Sequence, residues 1–140
     1  MRRLKSRFFH LLCTLALVCA VLLEFYPKGL ESIRISYPGE ALSDYFSYFS
    51  PALLKSENPF PLITGILTLL LLLFSILKLF KKIKRKCWKA VMLLTRTGAL
   101  FSSYVSFLDM PTQVSFMIPS FLLLSGIFPY IEKILKIKRL

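Results

Sequence analysis

The chain has 140 residues, 56% of them hydrophobic, and a mean hydropathy of +0.65. A soluble domain is nearer to about 45–50% apolar, so the composition excludes an ordinary soluble protein and indicates a chain solvated by lipid. Nineteen lysines and arginines stand against seven acids, a formal charge of +12. Because the positive residues form blocks beside apolar runs, membrane orientation explains them without a nucleic-acid partner.

Four apolar runs predict four membrane-spanning helices. The first covers about 8–26 behind a basic N-terminus, and we interpret it as an uncleaved span because no small-residue cleavage site leads into polar sequence. The second, 60–80, carries no charge before Lys78, and a helix of about 20 residues crosses a hydrocarbon core of about 30 Å. The third and fourth spans are predicted at about 90–108 and 114–130.

The longest polar stretch is the predicted outer loop, 27–59, between the first two spans. Ser32–Tyr37 alternates polar and apolar residues, Pro38–Gly39 is a turn signal, and Ala41–Phe46 can return as a second strand. This pattern predicts a small extracytoplasmic element, a β-hairpin. An isolated two-stranded hairpin is marginal in water, so it needs support from the membrane surface, another loop or a partner.

The positive residues divide unequally between the two sides of the predicted membrane. Four lie before the first span, seven from Lys78 to Lys89, and four after the fourth span, whereas the outer loop has three. Lysine and arginine collect on the cytoplasmic side, so a multi-pass protein of the cell membrane with both termini cytoplasmic is expected. The cytoplasmic connector, 81–89, should contact anionic lipid. The residues expected to do so are Lys81, Lys82, Lys84 and Arg85.

Two short segments end the outer loop and begin the second span. Residues 46–51 read Phe-Ser-Tyr-Phe-Ser-Pro, and residues 58–68 read Asn-Pro-Phe-Pro-Leu-Ile-Thr-Gly-Ile-Leu-Thr. Together they resemble a group of small, uncharacterised four-span integral membrane proteins of Gram-positive bacteria. That group shares a Ser-Tyr-Phe-x-Pro step before a Pro-Leu-x-Thr-x-x-Leu-Thr helix start. The resemblance covers about a sixth of the chain, and it implies four spans and a small outer element but no activity.

The residue types of catalytic and metal sites do not assemble in this sequence. His10 is the single histidine, and no serine has a histidine and an acid placed to activate it. The cysteines, Cys13, Cys19 and Cys87, lie in the first span and the basic connector, so we expect free thiols. The sequence therefore predicts a protein that is not an enzyme and needs no metal or cofactor.

The third span carries two features of interest. Arg96 is the only charge deep within a span, and such residues are candidates for a functional role by default. It lies seven residues beyond Lys89, about 10 Å deep, so its long side chain can instead snorkel back to the cytoplasmic interface. The second feature is a stripe of small residues four apart, Gly98, Ser102 and Ser106, which predicts a helix-packing face.

These features predict an all-α membrane protein, an antiparallel bundle of four transmembrane helices with a small outer element. The leading hypothesis for its function is a non-enzymatic accessory or interaction protein whose first outer loop contacts a membrane protein partner or a second copy. The alternative is a small transporter or channel subunit with polar lining from the third span. Glu24 lies near the predicted outer end, unlike the membrane-embedded glutamate on which small multidrug transporters depend.

Overall fold

The structure of the chain, a computed structural model, describes residues 2–36, 40–51, 53, 58–80 and 85–137. Four helices and one pair of strands make up the regular structure of these residues. They are, in chain order, α1 (Arg2–Glu24), β1 (Leu30–Ser36), β2 (Glu40–Phe46), α2 (Phe60–Phe80), α3 (Arg85–Asp109) and α4 (Gln113–Ile137). The predicted all-α fold with a small two-stranded element is confirmed at this level.

Three helices in the described part of the chain are long and apolar enough to cross a membrane: Phe60–Lys78, Trp88–Asp109 and Gln113–Ile131. The fourth, α1, carries a shorter apolar run, Phe8–Glu24. Large apolar side chains are exposed on all four helices, for example Leu22 and Leu94 at 65% and 76%. Because a soluble protein rarely exposes so much contiguous apolar surface, the exterior matches a lipid environment.

Consecutive helices run antiparallel. Along each contact, the residue numbers increase in one helix while they decrease in the other. Between α1 and α2, Thr14 contacts Ser75 near one end and Glu24 contacts Thr68 near the other. Each helix packs mainly against two others, α1 and α3 each against both α2 and α4. The contacts Thr64–Ser102 and Phe74–Trp88 fix the direction of α3 relative to α2. Cys13–Ser125 and Gly29–Thr112 do so for α1 and α4, and Arg96–Gly126 and Phe107–Phe116 for α3 and α4.

Polar caps set the beginnings of α2 and α4. Asn58 Oδ1 accepts a hydrogen bond from the Phe60 backbone N–H at 2.9 Å, as an N-cap residue does. Thr112 and Ser115 cap each other, because the hydroxyl of each accepts from the backbone N–H of the other, at 2.9 and 2.7 Å.

At the other end of the helices, α3 begins at Arg85 and α4 ends at Ile137, both beyond the predicted spans. Lysine, arginine, leucine and isoleucine tolerate helical backbone, so the helices continue into their basic flanks.

The hairpin is antiparallel, with Leu30 opposite Phe46 and Ser36 opposite Glu40. Residues 32–36 of the first predicted strand and all of the second lie within the observed strands, while Tyr37 and the Pro38–Gly39 turn lie outside the described residues. Leu30 is fully buried, and the Thr112 hydroxyl donates to the Gly29 carbonyl at 2.6 Å. These contacts with the helices supply the support that an isolated hairpin lacks. We call the end of the helices that contacts the hairpin the hairpin end. The opposite end, where α2 ends and α3 begins, is called the basic end.

Candidate functional site

Four polar side chains from three helices lie inside the protein near its hairpin end. Glu24, Thr64, Thr68 and Ser102 are 0–3% exposed, and we call them the polar layer. Thr68 Oγ1 lies 2.5 Å from Glu24 Oε2, and the Thr64 hydroxyl donates to Ser102 Oγ at 2.8 Å. The layer therefore links α1 to α2 and α2 to α3 through side-chain hydrogen bonds.

Helical spacing explains how the layer forms. Thr64 and Thr68 are four residues apart, so they share one face of α2 and point to neighbouring helices together. Their hydroxyls also lie 2.9 and 3.0 Å from the carbonyl oxygens of Phe60 and Thr64, one turn earlier. Small side chains of this kind let helices approach closely in lipid, where apolar contact between helices gains little.

A short segment after the hairpin covers the polar layer. This covering segment consists of residues 47–51 and Leu53, and Tyr48 is its most buried large side chain, at 0% exposure. The Tyr48 backbone N–H donates to the Glu24 carbonyl at 3.0 Å. The covering segment is thus tied directly to the residue that ends α1.

Gly65 provides the space in which the covering segment packs on α2. The Phe49 ring stacks on Phe25 with centroids 4.5 Å apart, and its edge lies over Gly65. A Cβ atom on Gly65 would stand 2.8 Å from two Phe49 ring carbons, too close for a real contact. Glycine is therefore required here for close approach rather than for an unusual backbone angle.

Tyr48 carries a buried hydroxyl with no hydrogen-bond partner among the described residues. Burial raises the pKa of Tyr48 well above its ordinary value of about 10. The phenol consequently stays neutral at physiological pH. Oε1 of Glu24 is also buried without a partner in the described part of the chain.

Arg96 lies nearer the basic end and does not reach the polar layer. Its side chain crosses Gly126 of α4, where an added Cβ would be 3.3 Å from the arginine Cδ. Its Nη2 lies 3.8 Å from the Cys13 sulfur, which donates to the Ser125 carbonyl at 3.2 Å. Arg96 Nε is buried without a partner among the described residues. The side chain thus contacts both α1 and α4.

The small-residue stripe of α3 lies against protein. Ser102 and Ser106 are buried, and an added Cβ on Gly98 would stand 3.3 Å from Leu67 Cδ1 on α2. The hydrogen bond between Thr64 and Ser102 lies in the same contact. The stripe is therefore where α3 meets α2.

A shallow groove of about 450 Å³ opens on the surface beside the hairpin. Lys28 Nζ lies 5.6 Å from the centre of the Tyr45 ring, and the Tyr45 hydroxyl donates to Glu31 Oε1 at 3.4 Å. Tyr26, Thr112 and Gln113 complete its polar and aromatic lining. The groove presents a cation, an acid and two aromatic rings at a position fixed by the docked hairpin.

The described residues hold no group of three or more histidine, cysteine, aspartate or glutamate side chains that would bind a metal. Cys13 and Cys19 are free, as expected. Of the predicted lipid contacts, Lys81, Lys82 and Lys84 lie outside the described residues, and Arg85 is the first residue of α3. The polar layer contains hydroxyls and one carboxyl, a set suited to holding a proton or a small cation rather than to nucleophilic catalysis.

Sequence reasoning missed the two residues that organise this site. Glu24 lies near the predicted outer end of its span, yet it is fully buried. Tyr48 belongs to an aromatic stretch that suits the membrane interface, yet it packs inside. The available signal was the pairing of the only acid in the first apolar run with two threonines one turn apart in the second.

No protein-family model, curated protein or solved structure matches this chain.

Proposed function

We propose that this chain is a non-enzymatic four-span protein of the bacterial cell membrane that uses its first outer loop to contact another protein. In this proposal both termini are cytoplasmic, and the basic connector lies against anionic lipid. The proposal assigns the hairpin end to the outer side and the protein to the Gram-positive group that it resembles. The contacted protein is a membrane protein partner or a second copy of the chain.

The observation that carries this proposal is the docked hairpin. The residues on either side of it are held by a backbone bond from Tyr48 to Glu24 and by a hydroxyl bond from Thr112 to Gly29, and the side chains of Leu30 and Tyr48 are buried. Tyr26 and Tyr45 nevertheless remain about half exposed, at 49% and 48%. Rigid aromatic side chains held on a fixed support lose little entropy on binding, which is why tyrosine is enriched in protein interfaces.

Site-specific photo-crosslinking in the native membrane tests this proposal. A photoreactive phenylalanine analogue at Tyr45, and separately at Tyr26, is expected to give protein adducts of the same single mass. The reason is that both rings line one groove and should face one partner. The same analogue at Tyr104, which is 58% exposed on α3, is the matched control and should give no such adduct. Adducts of equal yield at all three positions would contradict a specific interface at the loop.

Orientation is tested by thiol labelling of intact cells. After the native cysteines are replaced, Gln113→Cys at the hairpin end is expected to react with an impermeant reagent from outside, whereas Ile83→Cys in the basic connector is not. The positive residues on the connector side give the physical reason, since they resist translocation. Permeabilised cells, in which both positions should react, are the control. Labelling of position 83 in intact cells would mean that the basic connector faces outward, which contradicts the proposed orientation.

A small transporter or channel subunit is the second candidate, and the polar layer favours it. A fully buried carboxyl that contacts a threonine hydroxyl is unusual inside an apolar helix assembly, where polar groups are costly. Flux in proteoliposomes that is lost in Arg96→Ala would support this candidate. Arg96 is the relevant position because it contacts α1 and α4 from α3.

A further inference from the structure

We infer that Glu24 is a buried proton-binding site, and that the carboxyl is occupied by a proton when the covering segment is docked. The inference does not depend on the proposed function, since it concerns the state of one side chain within the fold. Three observations support it: the number of hydrogens available around the Thr68 hydroxyl, the groups that face Glu24, and the burial of Glu24.

The hydrogen count comes from three oxygen atoms around one hydroxyl. Thr68 Oγ1 lies 2.5 Å from Glu24 Oε2 and 3.0 Å from each of the carbonyl oxygens of Thr64 and Gly65. A threonine hydroxyl has one hydrogen to donate, and a carbonyl oxygen has none. With an ionised Glu24, three acceptors would compete for that single hydrogen.

A neutral Glu24 removes one acceptor from this competition, because its carboxyl then supplies a hydrogen of its own. The carboxyl hydrogen on Oε2 donates to Thr68 Oγ1, and the Thr68 hydrogen donates onward to the backbone carbonyl of Thr64 or Gly65. Oε1 is then a carbonyl oxygen, and a buried carbonyl without a partner costs much less than a buried anionic oxygen without one.

No positive group in the described part of the chain faces Glu24 to stabilise an anion. The covering segment presents Tyr48, whose phenol is neutral, and α2 presents the hydroxyl of Thr68. Lys28 is exposed above the Tyr45 ring, and Asp109 and Glu31 lie at the surface or partly so. Arg96 contacts Cys13, eleven residues back along α1 and thus about 16 Å away.

The proton has a structural consequence. Glu24 has no exposed surface, and the buried Tyr48 lies beside it, with its backbone N–H bonded to the backbone carbonyl of Glu24. Loss of the proton would leave an unpaired charge in a buried site, and that charge is relieved by admitting water or a cation. Either route requires the covering segment to move. Occupancy of the site therefore holds the hairpin against the helices.

Infrared spectroscopy of the full-length protein in lipid at neutral pH tests the inference. Exposed carboxyls are ionised there, because their ordinary pKa values are about 4, so a protonated carboxyl gives a separate carbonyl band. The wild type should show this band, and uniform ¹³C-glutamate labelling should shift it. Glu31→Gln, at a partly exposed acid of the hairpin, should retain the band, and Glu24→Gln should lose it.

The wild-type spectrum decides the question even where a variant fails to fold. Absence of a glutamate acid band in the folded wild type would overturn the inference. A band that persists unchanged in folded Glu24→Gln would overturn it as well. If the acid band is absent and added Na⁺ or K⁺ raises the melting temperature, the site binds a metal cation instead of a proton, and the inference is wrong. Hydrogen exchange supplies the second measurement: protection of the Tyr48 amide should survive in Glu24→Gln, whose side-chain amide can donate to Thr68 as the acid does.

Discussion

Tyr48→Ala is expected to release the covering segment and to lower the stability of the fold by about 3–5 kcal/mol, the usual cost of truncating a large buried aromatic residue. Tyr48 has no exposed surface, and its backbone N–H donates to the backbone carbonyl of Glu24. The measurement is hydrogen exchange of the hairpin and covering segment in detergent or lipid. Because each 1.4 kcal/mol is a tenfold change in an equilibrium, these amides should exchange about a hundredfold faster or more.

Two companion variants show whether the lost ring is the cause. Tyr45→Ala removes a tyrosine that is 48% exposed on the hairpin, so it should leave exchange nearly unchanged. Tyr48→Phe keeps the ring and removes a hydroxyl that has no partner among the described residues, so it should be neutral or slightly stabilising. Equal exchange rates in Tyr48→Ala and the wild type would mean that the segment is held by other contacts.

Ser102→Leu is expected to lower the melting temperature of the purified protein through a loss of about 1–3 kcal/mol, the range found for overpacked interiors. Ser102 is 3% exposed, lies in the contact between α2 and α3, and accepts a hydrogen bond from Thr64 at 2.8 Å. A leucine at this position must separate the two helices and leaves the Thr64 hydroxyl without that acceptor. Thermal denaturation in detergent measures the effect.

The matched control is Thr97→Leu on the same helix. Thr97 is exposed, and its hydroxyl lies near the carbonyl oxygens of Leu93 and Leu94 in its own helix, so leucine there should be accepted by lipid at little cost. If Ser102→Leu instead melts like the wild type, the serine stripe is not a tight contact. Loss of proteoliposome flux with unchanged melting would then favour the transporter candidate.

Much of the fold follows from the sequence, because each element carries its own local signal. The 18 residues from Phe60 to Leu77 contain no charge, and a backbone in lipid must satisfy its hydrogen bonds within a helix. The alternation in Ser32–Tyr37 has the period of a strand, and the observed β1 overlaps it. The stripe of Gly98, Ser102 and Ser106 predicts a packing face, and Gly98 and Ser102 contact α2 in the structure. Each of these inferences uses only residues within a single helix or strand.

Only the tertiary structure decided which polar groups meet. Glu24 and Thr68 are 44 residues apart in the chain, and nothing local distinguishes a carboxyl that faces water at the end of a span from one that is covered. Tyr48 likewise belongs to a run of aromatic residues that would serve equally well at the interface. Arg96 could reach the basic end or turn toward α1 and α4, and its neighbours Cys13 and Gly126 lie in different helices. The physical reason is that hydropathy and periodicity record the solvent that each residue prefers. The contacts between distant segments depend instead on how the helix faces fit together, and in this chain that fit encloses a glutamate beneath a tyrosine.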